Sequence, residues 1–231
     1  MKLVYTGKTK DVYDPGDGSY ILKFKDDMTG ENGVFDPGAN QVGLVMEGAG
    51  RAGLRLTAFF FEVLNGKGIP THYLDADPGK AIMRVKPAAV FGKGIEIICR
   101  YRAVGSFYRR YGMYVEEGQP LDCFVEITLK DDERQDPPAT EDALVMLGIL
   151  TREEYAAIVA LAARTGRIVR EELAKRDIEL YDIKFEFGRT PEENRIMLID
   201  EISGGNMRAY RDNRRLEPLE LEAILLPGDG E

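Results

Sequence analysis

Tryptophan is absent from this 231-residue chain, histidine occurs once, and cysteine twice. A single histidine, His72, rules out a histidine-cluster metal centre and argues against a Ser-His-Asp triad. The two cysteines, Cys99 and Cys123, are too few for a disulfide framework or a cysteine-rich zinc site, so they read as structural residues of a reducing cytosol. No run of about 18 apolar residues exists, which excludes a transmembrane helix. Met1-Lys2-Leu3-Val4-Tyr5 opens directly on a strand-like pattern with no signal-peptide core; a cytoplasmic protein is expected. Basic residues are in deficit, with 31 Lys and Arg against 40 Asp and Glu and a formal charge of −9, which argues against general nucleic-acid binding. No internal repeat or low-complexity tract occurs. What remains is ample: 44% hydrophobic and 31% charged residues, the composition of a globular protein of one sizeable domain or of two lobes around a cleft.

Short strands joined by Gly, Pro and Asp turns make up the first part. Asp11-Val12-Tyr13, the turn at 14–18 and Tyr20-Ile21-Leu22-Lys23-Phe24 give a hairpin. Residues 26–50, rich in Gly and Asn without a period, read as one long functional loop that orders on ligand binding. A helix is expected over 53–64 with Asn65-Gly66 as its stop, and residues 81–85 form a buried strand leading into a Lys86-Pro87 hinge. In the second part strands are expected over 95–102 and 124–130. Gly105-Ser106 opens a short helix carrying Arg109 and Arg110, and a long helix runs over 151–175 behind a Thr151/Glu154 capping box. The strict alternation of 182–188 marks a strand whose hairpin partner runs over 195–202. Strands grouped first and a mixture later give an α+β fold.

Period-2 geometry puts Ile183, Phe185 and Phe187 on one face of that strand and Asp182, Lys184 and Glu186 on the other. If the turn sets Asp200 opposite Lys184, the Asp200 and Glu186 carboxylates become diagonal neighbours, roughly 7–8 Å apart at Cα. Such a pair can share Mg²⁺; the same pattern also fits a solvated strand face with cross-strand ion pairs. Gly7-Lys8-Thr9-Lys10 fits either a phosphate-binding turn or an ordinary hairpin loop with exposed lysines, and its spacing is not that of a Walker loop. Arg100, Arg102, Arg109 and Arg110 either receive a carboxylate or phosphate ligand or pair with the chain's surplus acids. Lys130-Asp131-Asp132 either meets a ligand or opens a turn.

In order along nearly the whole chain, Gly7-Lys8-Thr9-Lys10-Asp11-Val12-Tyr13, the 24–33 stretch, Arg100-Tyr101-Arg102-Ala103-Val104-Gly105-Ser106, Leu129-Lys130-Asp131-Asp132, the 182–188 strand and Asp200-Glu201-Ile202-Ser203 resemble the SAICAR synthetases (phosphoribosylaminoimidazole-succinocarboxamide synthases). The resemblance implies a two-lobed fold of antiparallel sheets with packed helices, residues 1–86 forming an ATP-binding lobe and 87–231 completing the site across the cleft. It implies an ATP-dependent ligase that activates phosphoribosyl aminoimidazole carboxylate as an acyl phosphate, which the amine of L-aspartate then attacks. Gly7, Lys8, Thr9, Lys10, Val12 and Lys130 would meet the nucleotide, with Met83 and Val85 beside the adenine. Glu186 and Asp200 would hold Mg²⁺, and Lys184 would lie near the reacting carboxylate. Arg100, Ser106, Asp182 and Arg208 would bind the imidazole substrate, and Asn32 would lie near the incoming amine. A homodimer is also implied.

The chain departs from the family pattern at three places facing the acceptor and the amine. Gly204-Gly205-Asn206-Met207-Arg208 replaces a Pro-Asp-containing stretch, with Gly205 where the family has an acid. The segment 34–43 lacks the usual lysines and Gly-Lys-Gly turn, and Asn32 stands where many members have an acid. These departures are also compatible with a paralogous ligase for another heteroaromatic acid or amine, or with a catalytically silent nucleotide-binding homologue.

Overall fold

In the computed structural model, which describes residues 1–228, β1 (Lys2–Thr6), β2 (Lys10–Asp14) and β3 (Tyr20–Phe24) pair antiparallel in succession. The expected hairpin is therefore present. Residues 26–50 are not an irregular loop. They build a separate three-stranded sheet from β4 (Asp27–Glu31), β5 (Val34–Phe35) and β6 (Val42–Val45), in the order β5-β4-β6.

The overlooked signal is Asn32-Gly33. Both have positive φ, 51° and 78°, and they link strands paired Gly30↔Phe35 and Glu31↔Val34. A two-residue loop of this kind twists with its strands and uses the residue types that adopt positive φ at least cost. Asn32 is exposed at the tip of this turn and is absent from the lining of the cleft described below. The hairpin by itself accounts for an asparagine there, while Glu31 and Val34 on either side of the turn do line that cleft.

α1 (Ala49–Gly66) begins four residues before the expected start. Glycines at 50 and 53 weaken the helical pattern in sequence, but the Gly50 N–H donates to Asp26 Oδ1 at 2.9 Å. Leu54, Leu56, Phe60, Phe61 and Leu64 are buried along its inner face. β7 (Tyr73–Asp77) and β8 (Ile82–Val85) complete a five-stranded sheet of order β1-β2-β3-β8-β7.

After β9 (Ala89–Val90) come β10 (Ile95–Arg102), α2 (Gly105–Tyr111), β11 (Pro120–Leu129), α3 (Glu141–Met146) and α4 (Arg152–Ala174). The capping box at Thr151 and Glu154 is formed. β12 (Glu179–Arg189), β13 (Ile196–Ile199), β14 (Met207–Arg211), β15 (Arg214–Arg215) and α5 (Pro218–Leu225) follow. The second sheet runs β11-β10-β12-β14-β15, with β9 and β13 also paired to β12.

The β12–β13 ladder ends at Glu186↔Ile199, so Asp200 does not lie opposite Lys184. Asp200 instead turns away with φ 65°, and the Lys184 N–H donates to Asn206 O at 2.9 Å. The physical reason is the arrival of β14, which takes over the edge of β12 at Ile183↔Met207. One hydrophobic cluster runs from Leu22 and Met83 through Phe60 to Ile97, Phe185 and Val169. The five-stranded sheet stops at Val85, whereas the core continues past it.

His72 joins the two sheets. Its N–H donates to Leu198 O at 3.0 Å and its carbonyl accepts from Lys86 N at 2.7 Å. Burial pushes its imidazole from 6.5 down to about 4. The unfolded chain binds a proton here below about pH 6.5 while the folded chain does not. This contribution to stability is therefore whole above that pH and drains away as pH falls toward 4, about 3 kcal/mol in total. Denaturant unfolding in chelator should show a flatter pH slope for His72→Gln than for the parent chain; equal slopes would contradict it.

Candidate active site

Three neighbouring strands set out a row of alternating charge. Register places Arg100 of β10 beside Asp182 of β12, and Asp182 beside Arg208 of β14. The row, with Glu96, Thr128 and Lys184, forms the floor of a cleft of about 1280 Å³. Residues 36–41 and 132–138 form its walls.

Arg100 is 2% exposed. Its Nε donates to Glu126 Oε1 at 2.7 Å, its Nη1 to Asp182 Oδ2 at 2.9 Å and its Nη2 to Ser106 Oγ at 2.8 Å. Arg110 also pairs with Glu126. Of the two readings left open for these arginines, internal pairing describes Arg100, Arg110 and Arg102, the last through Glu179, while Arg109 is exposed, lines the cleft and makes no ion pair among the described residues. Arg208 donates from Nη1 to Asp182 Oδ2 at 2.8 Å and from Nη2 to Asp36 Oδ1 at 2.7 Å. It lies against Gly105, whose φ is 56°; a Cβ there would come 2.9 Å from Arg208 Nη1.

A second array holds lysines and carboxylates in alternation. Lys10 Nζ lies 3.1 Å from Asp200 Oδ1 and also pairs with Glu201. Lys130 donates to Glu186 Oε1 at 2.7 Å, and Lys184 to Glu96 Oε1 at 2.7 Å. Burial acts against ionisation, yet Asp200 is held down to about 2, chiefly by Lys10 and Lys130. Burial likewise opposes the charge on Lys10, and Asp200 and Glu201 more than restore it. Burial and the neighbouring Asp200 push Glu186 up from its ordinary value. These are two carboxylates crowded together, with lysines as their present counter-charge.

The Gly7–Lys10 turn stands at the edge of this array. Gly7 N donates to Lys10 O at 2.8 Å, Lys8 Nζ to Asp132 Oδ1 at 2.6 Å and Lys10 Nζ to Thr9 Oγ1 at 3.2 Å. Val12 is half-buried against the core. Met83 and Val85 are buried, 0% and 3% exposed, in the hydrophobic cluster beneath the five-stranded sheet. Gly205, where the family has an acid, donates its N–H to Ser203 Oγ at 3.0 Å. The turn is closed by Asn206, whose Nδ2 donates to Glu201 O at 2.7 Å and Lys184 O at 3.2 Å. Glu96, Asp36 and Glu201 join the site through Lys184, Arg208 and Lys10 without a signal in the local sequence. Glu96 sits within an apolar run, and the other two gain their meaning only from partners distant in sequence.

A model of the SAICAR synthetase family matches residues 3–220. A phosphoribosylaminoimidazole-succinocarboxamide synthase of Clostridium tetani is 66% identical over 226 residues, covering 98% of this chain and 100% of the relative. The Pyrobaculum calidifontis synthase is 38% identical over 212 residues, covering 90% and 81%. Among solved structures, a SAICAR synthetase in complex with ADP matches with a TM-score of 0.86 at 28% identity, over 98% of this chain and 99% of that one. The Ehrlichia chaffeensis synthase matches with a TM-score of 0.83 at 27% identity, over 94% and 89%. By sequence over nearly its whole length and by fold, the chain belongs to the SAICAR synthetase family.

Proposed function

We propose that the chain is an ATP-dependent amide-forming ligase of purine biosynthesis that joins phosphoribosyl aminoimidazole carboxylate to L-aspartate, releasing SAICAR, ADP and phosphate. Family membership over residues 3–220, with Lys10, Lys130, Lys184, Glu186 and Asp200 brought into one array of lysines and carboxylates, is the observation that carries this reading. A carboxylate is a poor acyl donor because its leaving group would be oxide. Transfer of the γ-phosphoryl group of ATP to a carboxylate oxygen supplies a better one, and the work left to the protein is positioning and charge neutralisation.

Lys8, Lys10 and Lys130 meet the nucleotide phosphates beside the Gly7–Thr9 turn. Lys184, kept charged by Glu96 and Glu186 against the effect of burial, draws the substrate carboxylate toward the γ-phosphoryl group. Arg208 and Ser106 take the phosphoribosyl end, with Arg100 and Asp182 holding them in place. The Glu186–Asp200 pair fits Mg²⁺. Both are hard oxygen donors, close enough for the charge of Asp200 to act on Glu186, the ligand chemistry this cation prefers. When bound, the ion would neutralise charge on the phosphates. From the family alone we further infer a cytoplasmic homodimer whose 1–86 and 87–231 lobes flank the nucleotide.

Neither a silent nucleotide binder nor a ligase for another acid is favoured by any feature of the cleft. Purified protein with Mg²⁺, ATP and the imidazole ribotide should release ADP only when L-aspartate is added, with the succinocarboxamide product seen by mass. ADP release with no such product, or no turnover at all, would refute the assignment.

A further inference from the structure

Nearly every cation of the cleft is already engaged by the chain's own carboxylates. Arg100 is held by Glu126 and Asp182, Lys184 by Glu96, and Arg208 by Asp182 and Asp36. An anionic substrate that is to take the positions these carboxylates hold on the cations must displace one of them. Glu96, Glu126 and Asp182 are only 7%, 8% and 3% exposed, and a buried acid stripped of its partner is left uncompensated.

Asp36 differs from these three. Its side chain is 39% exposed, and it stands on the cleft wall just beyond β5. Its Oδ1 also accepts from Gly38 N at 2.9 Å, a bond within its own turn that does not depend on Arg208. Burial would raise its carboxyl, but the Gly38 N–H and Arg208 outweigh that and keep it below the ordinary range. Arg208 does not need Asp36 for its orientation, since Asp182 holds Nη1 and Gly105 lies against the guanidinium.

We propose that Asp36 is an internal competitor for Arg208: it occupies the guanidinium position that the phosphate end of the substrate requires, and so sets both affinity and selectivity at this end of the cleft. A phosphate dianion with three acceptor oxygens exchanges favourably with one carboxylate, whereas a monoanionic acid gains nothing by the exchange. Exposed Arg109 lines the same cleft and adds charge for the phosphate that arrives. The inference rests on reading Arg208 as a contact for the imidazole ribotide, and the test separates the two.

Initial rates of ADP release are measured at varied ribotide and varied ATP for the parent, Asp36→Asn, Arg208→Gln and the double variant. Asp36→Asn should lower KM for the ribotide about three- to fivefold, the scale of a partly exposed ion pair, and leave KM for ATP unchanged. Arg208→Gln should raise KM for the ribotide, and in that background Asp36→Asn should have no effect. A ribotide KM that is unchanged or raised by Asp36→Asn, with Arg208→Gln still raising it, overturns the competitor and leaves Arg208 in its role. If Arg208→Gln leaves KM unchanged, the Arg208 reading falls and the competitor with it.

Discussion

Arg100→Met is expected to cost the chain about 3 kcal/mol of stability, a large share of the about 5–15 kcal/mol typical of a native domain. The side chain is fully buried, and its guanidinium bonds Glu126, Asp182 and Ser106. Methionine replaces the stem's packing but none of the donors, leaving Glu126 and Asp182 short of positive charge in a buried setting. Arg110 and Arg208 stay on those carboxylates, which puts the cost at the lower end of the range for breaking a buried pair, about 3–5 kcal/mol. Thermal unfolding should shift down by about 6–12 °C. Adding Glu126→Gln should return part of the loss, because the stranded charge goes with it. A change below about 1 kcal/mol would show that Arg100 is not the electrostatic keystone of this floor.

Glu186→Gln should lower turnover about 10²–10³-fold, the scale seen when one preorganised charge is removed from a reacting centre. The substitution keeps the shape of the side chain and removes only its charge, so the fold should persist. Lys130, 45% exposed at its side chain, can turn to water once its partner is neutral. ADP binding followed by calorimetry should weaken far less than turnover falls, since Lys8, Lys10 and Lys130 remain. Unimpaired turnover would remove Glu186 from the chemistry and leave it as a largely buried ion-pair partner of Lys130.

Local pattern carried much of the fold. β10 and the α4 capping box stand where periodicity and residue chemistry put them, and β12 was found short by a few residues at its start. The 26–50 region was lost because its strands are two to five residues long and hold together by pairing rather than by propensity. Only Asn32-Gly33 announced them. The site shows the same division. Lys10, Lys184, Glu186 and Asp200 were legible from motif and alternation, but the register joining Glu186 to Asp200 depended on where β14 enters. That Arg100 is saturated by partners at 106, 126 and 182 could not be read from its neighbours in sequence. Nor could Asp36 on Arg208, a contact made across 172 positions of chain.

The central claim is that the substrate carboxylate passes through an acyl phosphate, and oxygen tracing tests it most directly. With the imidazole carboxylate labelled by ¹⁸O, attack on the γ-phosphorus makes a carboxylate oxygen the bridge, and displacement by the aspartate amine sends that oxygen out with phosphate. The account predicts one ¹⁸O in each phosphate released. Unlabelled phosphate alongside labelled amide product would contradict it.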